Sequence, residues 1–525
     1  MHFIKTTLLL FLFAILPVFA SAERPVTTSS ALVAAVRNGA EGATIQIAAG
    51  VFLLEAPLEL KARMTLKGAG IGKTILTPTK SWKPSTKALP DPEMRLDGLD
   101  TDAYLIRIKR DTAGVTISDL TLYAPQLHGA IFSWFHTGLH LSNLRIKGTL
   151  WSGVRTFGMK KAKIHDCEFI DAGGRWENGQ PGIKGGLTGG GIFAVWMEDS
   201  EIFNNQFVRT RKSPQHELYG IKVRQGVRSR IHHNTIKTNF SMEFPFENDE
   251  DVEIDHNVCE GTVSIPKYAG GPTPKSGRTF HIHHNWFKES YAIEFVRNGV
   301  EIDHNLFDFD PKADHGNLIS GFGDVSAAGP ASFHNNLVSN PGRGVIWINE
   351  IFNHLEVRNN HILTRTTVTP REEGLFGFNP KCDFTTIILK DNWIECRGQP
   401  RPLFRNGESY SAKVENNRLD NVPDVAKLTN VKANRPIGLE KPLRFECGVR
   451  GKFVVDGWTT RLSNQKSRAS LPSVFACPCR HQMQRRLSKR GIEGVAHPFD
   501  LRRKVCTQAR KEAAQNAIVK RERSE

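Results

Sequence analysis

Between Tyr219 and Phe307 the chain repeats itself, and that repetition leaves few folds open. The units read GIKVRQGVRSRIHHNTI (Gly220 to Ile236), SMEFPFENDEDVEIDHNVC (Ser241 to Cys259), TFHIHHNWF (Thr279 to Phe287) and AIEFVRNGVEIDHNLF (Ala292 to Phe307). Each has a short alternating strand, a polar turn, a second strand, an Asn, and an apolar residue two places later. A unit this short cannot bury its apolar face alone and must stack on its neighbours. The strands are too short and the turns too polar for a helical solenoid. The pattern predicts an all-β chain of about a dozen coils, a single-stranded parallel β-helix.

The Asn supplies the register. The slot of Asn234 recurs at Asn205, Asn257, Asn285, Asn305, Asn336, Asn360, Asn392 and Asn417, and N-terminally at Cys167, Asn143 and Asp119. Loop length varies from coil to coil while the flanking strands keep their pattern. A stacked Asn tolerates the left-handed turn conformation and can bond the backbone and amides beside it. These residues are therefore assigned to architecture.

The N-terminal segment, residues 1–22, carries Lys5, an apolar run from Leu8 to Phe19, and Ala20-Ser21-Ala22. It reads as a secretory signal peptide, since the run is shorter than the ~20 residues a membrane span needs. A secreted or periplasmic protein is expected, with no membrane span. From Thr27 to Asn38, hydroxyl residues precede Leu32, Val33 and Val36 at helical spacing. This short amphipathic helix would cap the open end of the stack. GAGIGKT, further on, lacks the GxxxxGK[ST] spacing of a phosphate loop and reads as a turn between strands.

The helical cap, the Gly-x-[FY] strand, the LKGAG turn and the IHHN/IDHN coils together resemble the pectin-lyase-like right-handed parallel β-helix superfamily. The likeness runs from about Thr27 to Pro423, so residues 23–430 are assigned to the β-helix domain. It implies a right-handed coil. It implies less about the reaction, because that superfamily holds lyases, hydrolases, epimerases and non-catalytic adhesins or tail spikes.

Long insertions at Pro78 to Asp102, Gly173 to Gly190, Arg209 to Leu218, Pro266 to Thr279 and Asp308 to Asn317 point to one binding face. Alternation on the first strand of each coil, with Ile221 and Val223 inward, turns Lys222 and Arg224 outward. The same outward slot holds Arg155, Phe193, Glu243, Ser264 and Glu294, with Trp347 and Asn349 further along. Stacked strands would make Arg155 to Glu294 one column in a cleft suited to a polymer. A solvated ladder of ion pairs is the alternative.

Such residues suit β-elimination on a uronate polymer. Arg155 would neutralise the carboxylate, which a guanidinium can bind in bidentate fashion. Lys222 would remove the adjacent carbon proton, although Glu243 beside it favours the charged amine. Tyr219, Tyr268 and Tyr291 are candidate proton donors; Arg224, Trp347 and Asn349 are candidate binding residues. The resemblance implies the same roles for Lys and Arg, but the RxPxxR signature of pectate lyases is missing. So is the Arg that alginate and chondroitin lyases of this fold carry in the coil after the Lys. The leading expectation is a polysaccharide lyase acting on an acidic polysaccharide. An inverting glycoside hydrolase using Glu243 and Glu294 is the second reading, and a non-catalytic glycan-binding surface protein the third.

No cofactor is called for. His233, His256, His284 and His304 could form an imidazole stack for a transition metal, but Asn and Asp fill the same slot elsewhere, which favours a structural ladder. The acidic run Glu247 to Asp251 offers oxygens of the kind Ca²⁺ takes, without EF-hand spacing. Eight Cys are few for an exported chain of this size; Cys167 and Cys259 read as buried thiols, and Cys382 and Cys396 could pair. Residues 431–465 read as a C-terminal extension of the β-helix. Residues 466–525 hold 15 Lys plus Arg against 5 Asp plus Glu, supplying +10 of the whole-chain +16. The high charge is thus mostly a property of a tail expected to be disordered. It points to no nucleic-acid partner in an exported chain expected to be a monomer with a polysaccharide as its partner.

Overall fold

The computed structural model describes residues 24–83, 103–172, 189–210, 219–245, 249–265, 278–288, 292–295, 299–310, 318–321, 331–348, 354–365, 374–405, 411–423, 431–432, 444–447 and 451–454. The expected leader, the basic 466–525 segment, Tyr268, Tyr291 and Asn349 lie outside them.

The chain opens on the helix Ser29–Asn38. Thr28 is its N-cap, the hydroxyl accepting from the Ala31 backbone N–H at 3.1 Å. Leu32 and Val36 are buried and Val33 packs against the same core. The helix covers the first coil.

Coil after coil then stacks in parallel. One side is a sheet of twelve strands among the described residues. It runs from Leu58–Leu60 through Tyr104–Ile108, Gly129–Thr137, Ser152–Lys160, Gly190–Glu198, Tyr219–Val227, Phe240–Glu243, Thr262–Ile265, Ile293–Phe295, Ile319–Gly321 and Ile346–Ile348 to Phe376–Phe378. Shorter paired strands form the remaining sides. The period-2 pattern puts one apolar residue of each coil inward at the same height. Ile131, Val154, Ile192, Ile221, Met242, Val263, Ile293, Ile319 and Ile346 form an unbroken buried row. That continuous row stabilises a fold whose single coils could not stand alone.

The Asn ladder runs from Asn205 to Asn417. Asn257 shows its chemistry: the side-chain Oδ1 accepts from both the backbone N and Nδ2 of Asn234, each at 3.0 Å. Its Nδ2 donates to Ile231 O at 2.8 Å and to Asn285 Oδ1 at 3.0 Å. Two details differ from the sequence reading. The left-handed residue is the one before the ladder Asn, as at His233, His256, His284, His304 and Asn335 (φ 51 to 56°). Asn143 and Asp119 belong to that same left-handed slot (φ 51° and 59°), and the ladder positions beside them are the buried Leu144 and Leu120. Cys167 does hold a ladder position, its N–H donating to Asn205 Oδ1 at 3.0 Å. The amide line thus begins at Asn205, and apolar packing fills the slot before it.

Residues 173–188, 211–218 and 311–317 precede strands of the twelve-stranded sheet, whereas 266–277 follows Thr262–Ile265. At the C-terminal side, Val431–Lys432 adds a parallel strand beside Lys413–Glu415. Arg444–Cys447 and Gly451–Val454 pair with each other, antiparallel, in a sheet of their own. That hairpin is not another coil. The described residues all lie within one compact unit, Met1–Thr460.

Candidate functional site

The outward column expected from alternation is present. Arg155 pairs in register with Phe193, Phe193 with Lys222, Lys222 with Glu243, Glu243 with Ser264, Ser264 with Glu294, Glu294 with Ser320 and Ser320 with Trp347. A local irregularity brings Tyr219 to the same side. Gly220 faces the core, where an added Cβ would lie 2.5 Å from Ile236 Cγ2. With Gly220 and Ile221 both packed toward the interior, Tyr219 stands outside the main apolar cluster and stacks on Phe240, centroids 4.5 Å apart.

Phe193 is the hub. The Arg155 guanidinium lies 3.6 Å from its ring centroid, Lys222 Nζ 5.1 Å and the Arg224 guanidinium 5.9 Å. Arg155 also lies over Trp151 at 4.8 Å and Phe157 at 4.5 Å, and Lys222 Nζ is 5.5 Å from the Tyr219 ring. Lys222 Nζ forms an ion pair with Glu243 Oε2 at 3.0 Å. Further along, Ser264 Oγ donates to Glu294 Oε2 at 2.8 Å.

The expectation that these charges project into solvent is corrected. Arg155, Lys222 and Arg224 are 0 %, 2 % and 5 % exposed. Aromatic rings take the intervening positions, and the cations lie against ring faces, where the quadrupole attracts them. Glu243 keeps a little access, its side chain 16 % exposed. Trp347 stands in the column, but Arg405 covers one indole face at 3.7 Å. The column is therefore a buried charged cluster at Arg155 to Glu243, followed by Glu294 and a capped Trp347.

Sequence reasoning passed over the aromatic side chains around this cluster. Phe132, Trp134, Phe157 and Trp196 belong to the same sheet, Trp151 immediately precedes its strand Ser152–Lys160, and Tyr104, Phe132, Phe157 and Val195 form a second apolar cluster apart from the main core. The signal was present in GAIFSWFHT (Gly129 to Thr137), where large aromatics take the outward phase that a solvated strand would fill with polar residues.

The histidines form ladders. The rings of His233, His256, His284 and His304 stack with centroids 4.8, 5.1 and 5.2 Å apart and planes within 5°. Among the described residues, three groups bring ligand atoms within 4.8 Å of one another: His233, Asp255 and His256; Glu253, His281 and His283; His281, Glu301 and Asp303. Their atoms are engaged with one another and with cations. Asp255 accepts from Arg230 Nε at 2.8 Å and Nη2 at 2.7 Å, and Asp303 accepts from His281 Nε2 at 2.6 Å. Burial pushes the Asp255 and Asp303 carboxyls up, but these hydrogen bonds outweigh it and hold both well below the usual range. In the acidic run, Asp249 Oδ1 accepts from the Gly226 N–H at 2.7 Å and Asp251 pairs with Arg278 at 3.2 Å, both consistent with a structured turn. Cys167, Cys259, Cys382 and Cys396 are buried, and the possible Cys382–Cys396 bridge is not formed; burial pushes Cys167 up to about 12.

Comparison with known proteins identifies a right-handed β-helix region, the family so described matching residues 106–308. No curated protein matches the chain. Among solved structures, the PfbA surface adhesin of Streptococcus pneumoniae is similar over 64 % of this chain and 85 % of its own, at 13 % identity and TM-score 0.44. An alginate lyase from Paenibacillus sp. covers 64 % of this chain and 98 % of its own, at 13 % identity and TM-score 0.35. A tailspike protein mutant of E. coli bacteriophage HK620, in complex with a hexasaccharide, covers 76 % of this chain and 72 % of its own, at 10 % identity and TM-score 0.45. At these identities the likeness is one of fold.

Proposed function

We propose that this chain is an exported polysaccharide lyase that cleaves a uronate-containing polymer on the outer face of the twelve-stranded sheet. The observation that carries the reading is the convergence of Arg155, Lys222 and Arg224 on Phe193, with Glu243 3.0 Å from Lys222. Cations brought together away from water attract a carboxylate strongly, and guanidinium groups match its two oxygens.

In this reading Lys222 becomes the base by passing its proton to Glu243, 3.0 Å away. The free amine then takes the proton from the carbon next to the bound carboxylate. That C–H electron pair becomes the new carbon–carbon double bond, and the bond to the glycosidic oxygen breaks. Tyr219 protonates the leaving oxygen and is reprotonated from the Lys222–Glu243 pair through solvent. Arg155 and Arg224 hold the charge that builds on the carboxylate, where fixed positive groups contribute most.

The test is a panel of acidic and neutral polysaccharides incubated with the full chain, reading unsaturated uronate and reducing ends together. Unsaturated ends are expected from an acidic polymer, lost in Lys222→Arg, whose guanidinium cannot accept the proton. Reducing ends without unsaturation would replace elimination by hydrolysis at Glu243 and Glu294. Tight binding with neither product would make the protein a glycan binder.

A further inference from the structure

Beside the charged cluster the sheet carries an aromatic surface that the proposed chemistry does not use. In the strand register, Phe135, Gly158 and Trp196 stand side by side on three adjacent strands. The two rings belong to strands two apart, about 9.6 Å by strand spacing. Their centroids nevertheless lie 5.8 Å apart with planes 23° from parallel. They lean together over Gly158, and the backbone is shaped to permit it. Gly158 has φ 76°, and an added Cβ would lie 2.6 Å from Phe135 Cδ1. Phe135 itself holds φ 40°, a conformation that bulky side chains rarely adopt and that persists where the surroundings enforce it.

Next to this pair, Trp134 stacks on Phe157 at 5.1 Å, and Phe157 carries the Arg155 guanidinium at 4.5 Å. The aromatic surface is therefore continuous with the charged cluster. The Arg110 guanidinium lies 5.2 Å from the Phe135 ring and 6.0 Å from Trp134, with Asp111 3.4 Å from its Nε. Trp196 remains 39 % exposed, among the most exposed large apolar residues described.

We infer that Trp134, Phe135 and Trp196, with Arg110 at their edge, form a subsite for one pyranose ring of an acidic polysaccharide. The ring's C–H face lies on the Trp196 indole, and its carboxylate or hydroxyls turn to Arg110. The inference deepens the proposed function and rests on it for the identity of the polymer. A pyranose ring suits this surface because it has an apolar face and a polar edge, as the surface has flat rings and a cation.

The experiment is calorimetric binding of a length series of oligouronates to the full chain and to Trp196→Ala, with indole fluorescence read in parallel. The longer oligomers should bind Trp196→Ala about tenfold more weakly than the parent chain, a loss on the scale of one stacking contact. The shortest ones, held by the charged cluster alone, should be unaffected. Trp196→Phe should recover most of the affinity, which a merely folding-related defect would not predict. Unchanged binding of every oligomer by Trp196→Ala would overturn the subsite and leave the charged-cluster reading standing. Failure of the parent chain to bind any oligouronate would overturn both.

Discussion

Lys222 Nζ and Glu243 Oε2 meet at 3.0 Å across a single strand spacing, on a face otherwise covered by aromatic rings. Removing one partner takes away the counter-ion 3.0 Å from a largely buried charge. Lys222→Met and Glu243→Gln should each destabilise the fold by about 3 kcal/mol, whereas the double substitution should recover most of that loss. Denaturant titration of the four proteins checks it; additive losses would show that the pair is not coupled. The same result bears on activity, because a Lys222 variant must be shown to be folded before its turnover is read.

The Asn ladder makes a sharper stability prediction. Asn257→Ala deletes an amide that accepts two hydrogen bonds from Asn234 and donates two more, all buried. A loss of about 3 kcal/mol or more is expected, since the groups left behind cannot reach water. Asn417→Ala, at the last described rung, should cost less. Equal thermal shifts for the two would argue against cooperation along the ladder.

Acid should loosen the stack before it reaches the carboxylates. Burial lowers His136 from 6.5 to about 4; burial, followed by nearby charges including Arg230, does the same to His232, and burial with His283 and other neighbours to His284. Between those values the unfolded chain binds protons that the folded chain refuses. The contribution to stability is therefore full above about pH 6.5 and is lost as pH falls toward 4, amounting to about 3 kcal/mol for the fully buried His136. The ion-paired Asp255 and Asp303 act lower on the scale, because their depressed values keep them charged until stronger acid. His136→Phe should flatten the melting temperature between pH 6.5 and 4; an unchanged slope would remove His136 from the account.

Gly158→Ala tests the aromatic surface without touching an aromatic residue. The new methyl meets the Phe135 ring at 2.6 Å and sits at φ 76°. A destabilisation of about 1–3 kcal/mol is expected, with a change in indole emission as Phe135 and Trp196 are forced apart. Unaltered emission would mean that the rings do not depend on the gap.

The solenoid was legible because its cause is local and repeated. Alternating apolar residues and a polar turn recur from coil to coil, joined by an Asn from Asn205 onward, so a wrong reading of one unit is outvoted by the others. The outward column from Arg155 to Trp347 followed from strand phase alone, since a period of two leaves only two faces. The misplacement of Asn143 and Asp119 by one position has an equally local cause. Asn and Asp suit both the ladder and the left-handed turn, and only the pairing of Asn143 with Asp166, implied by Arg145 opposite Glu168, separates the two.

What the chain order by itself determined is therefore the coil, its register and the identity of the outward residues. What tertiary structure decided is their surroundings. Strand phase shows that Lys222 and Arg155 leave the core, but it cannot show that Phe193, Trp151, Phe157 and Tyr219 close around them. Those rings come from three successive coils, and their leaning depends on contacts across coils. Burial is a sum over neighbours distant in sequence, so the change from a solvated row of charges to a dry cationic cluster became visible only when the coils were stacked.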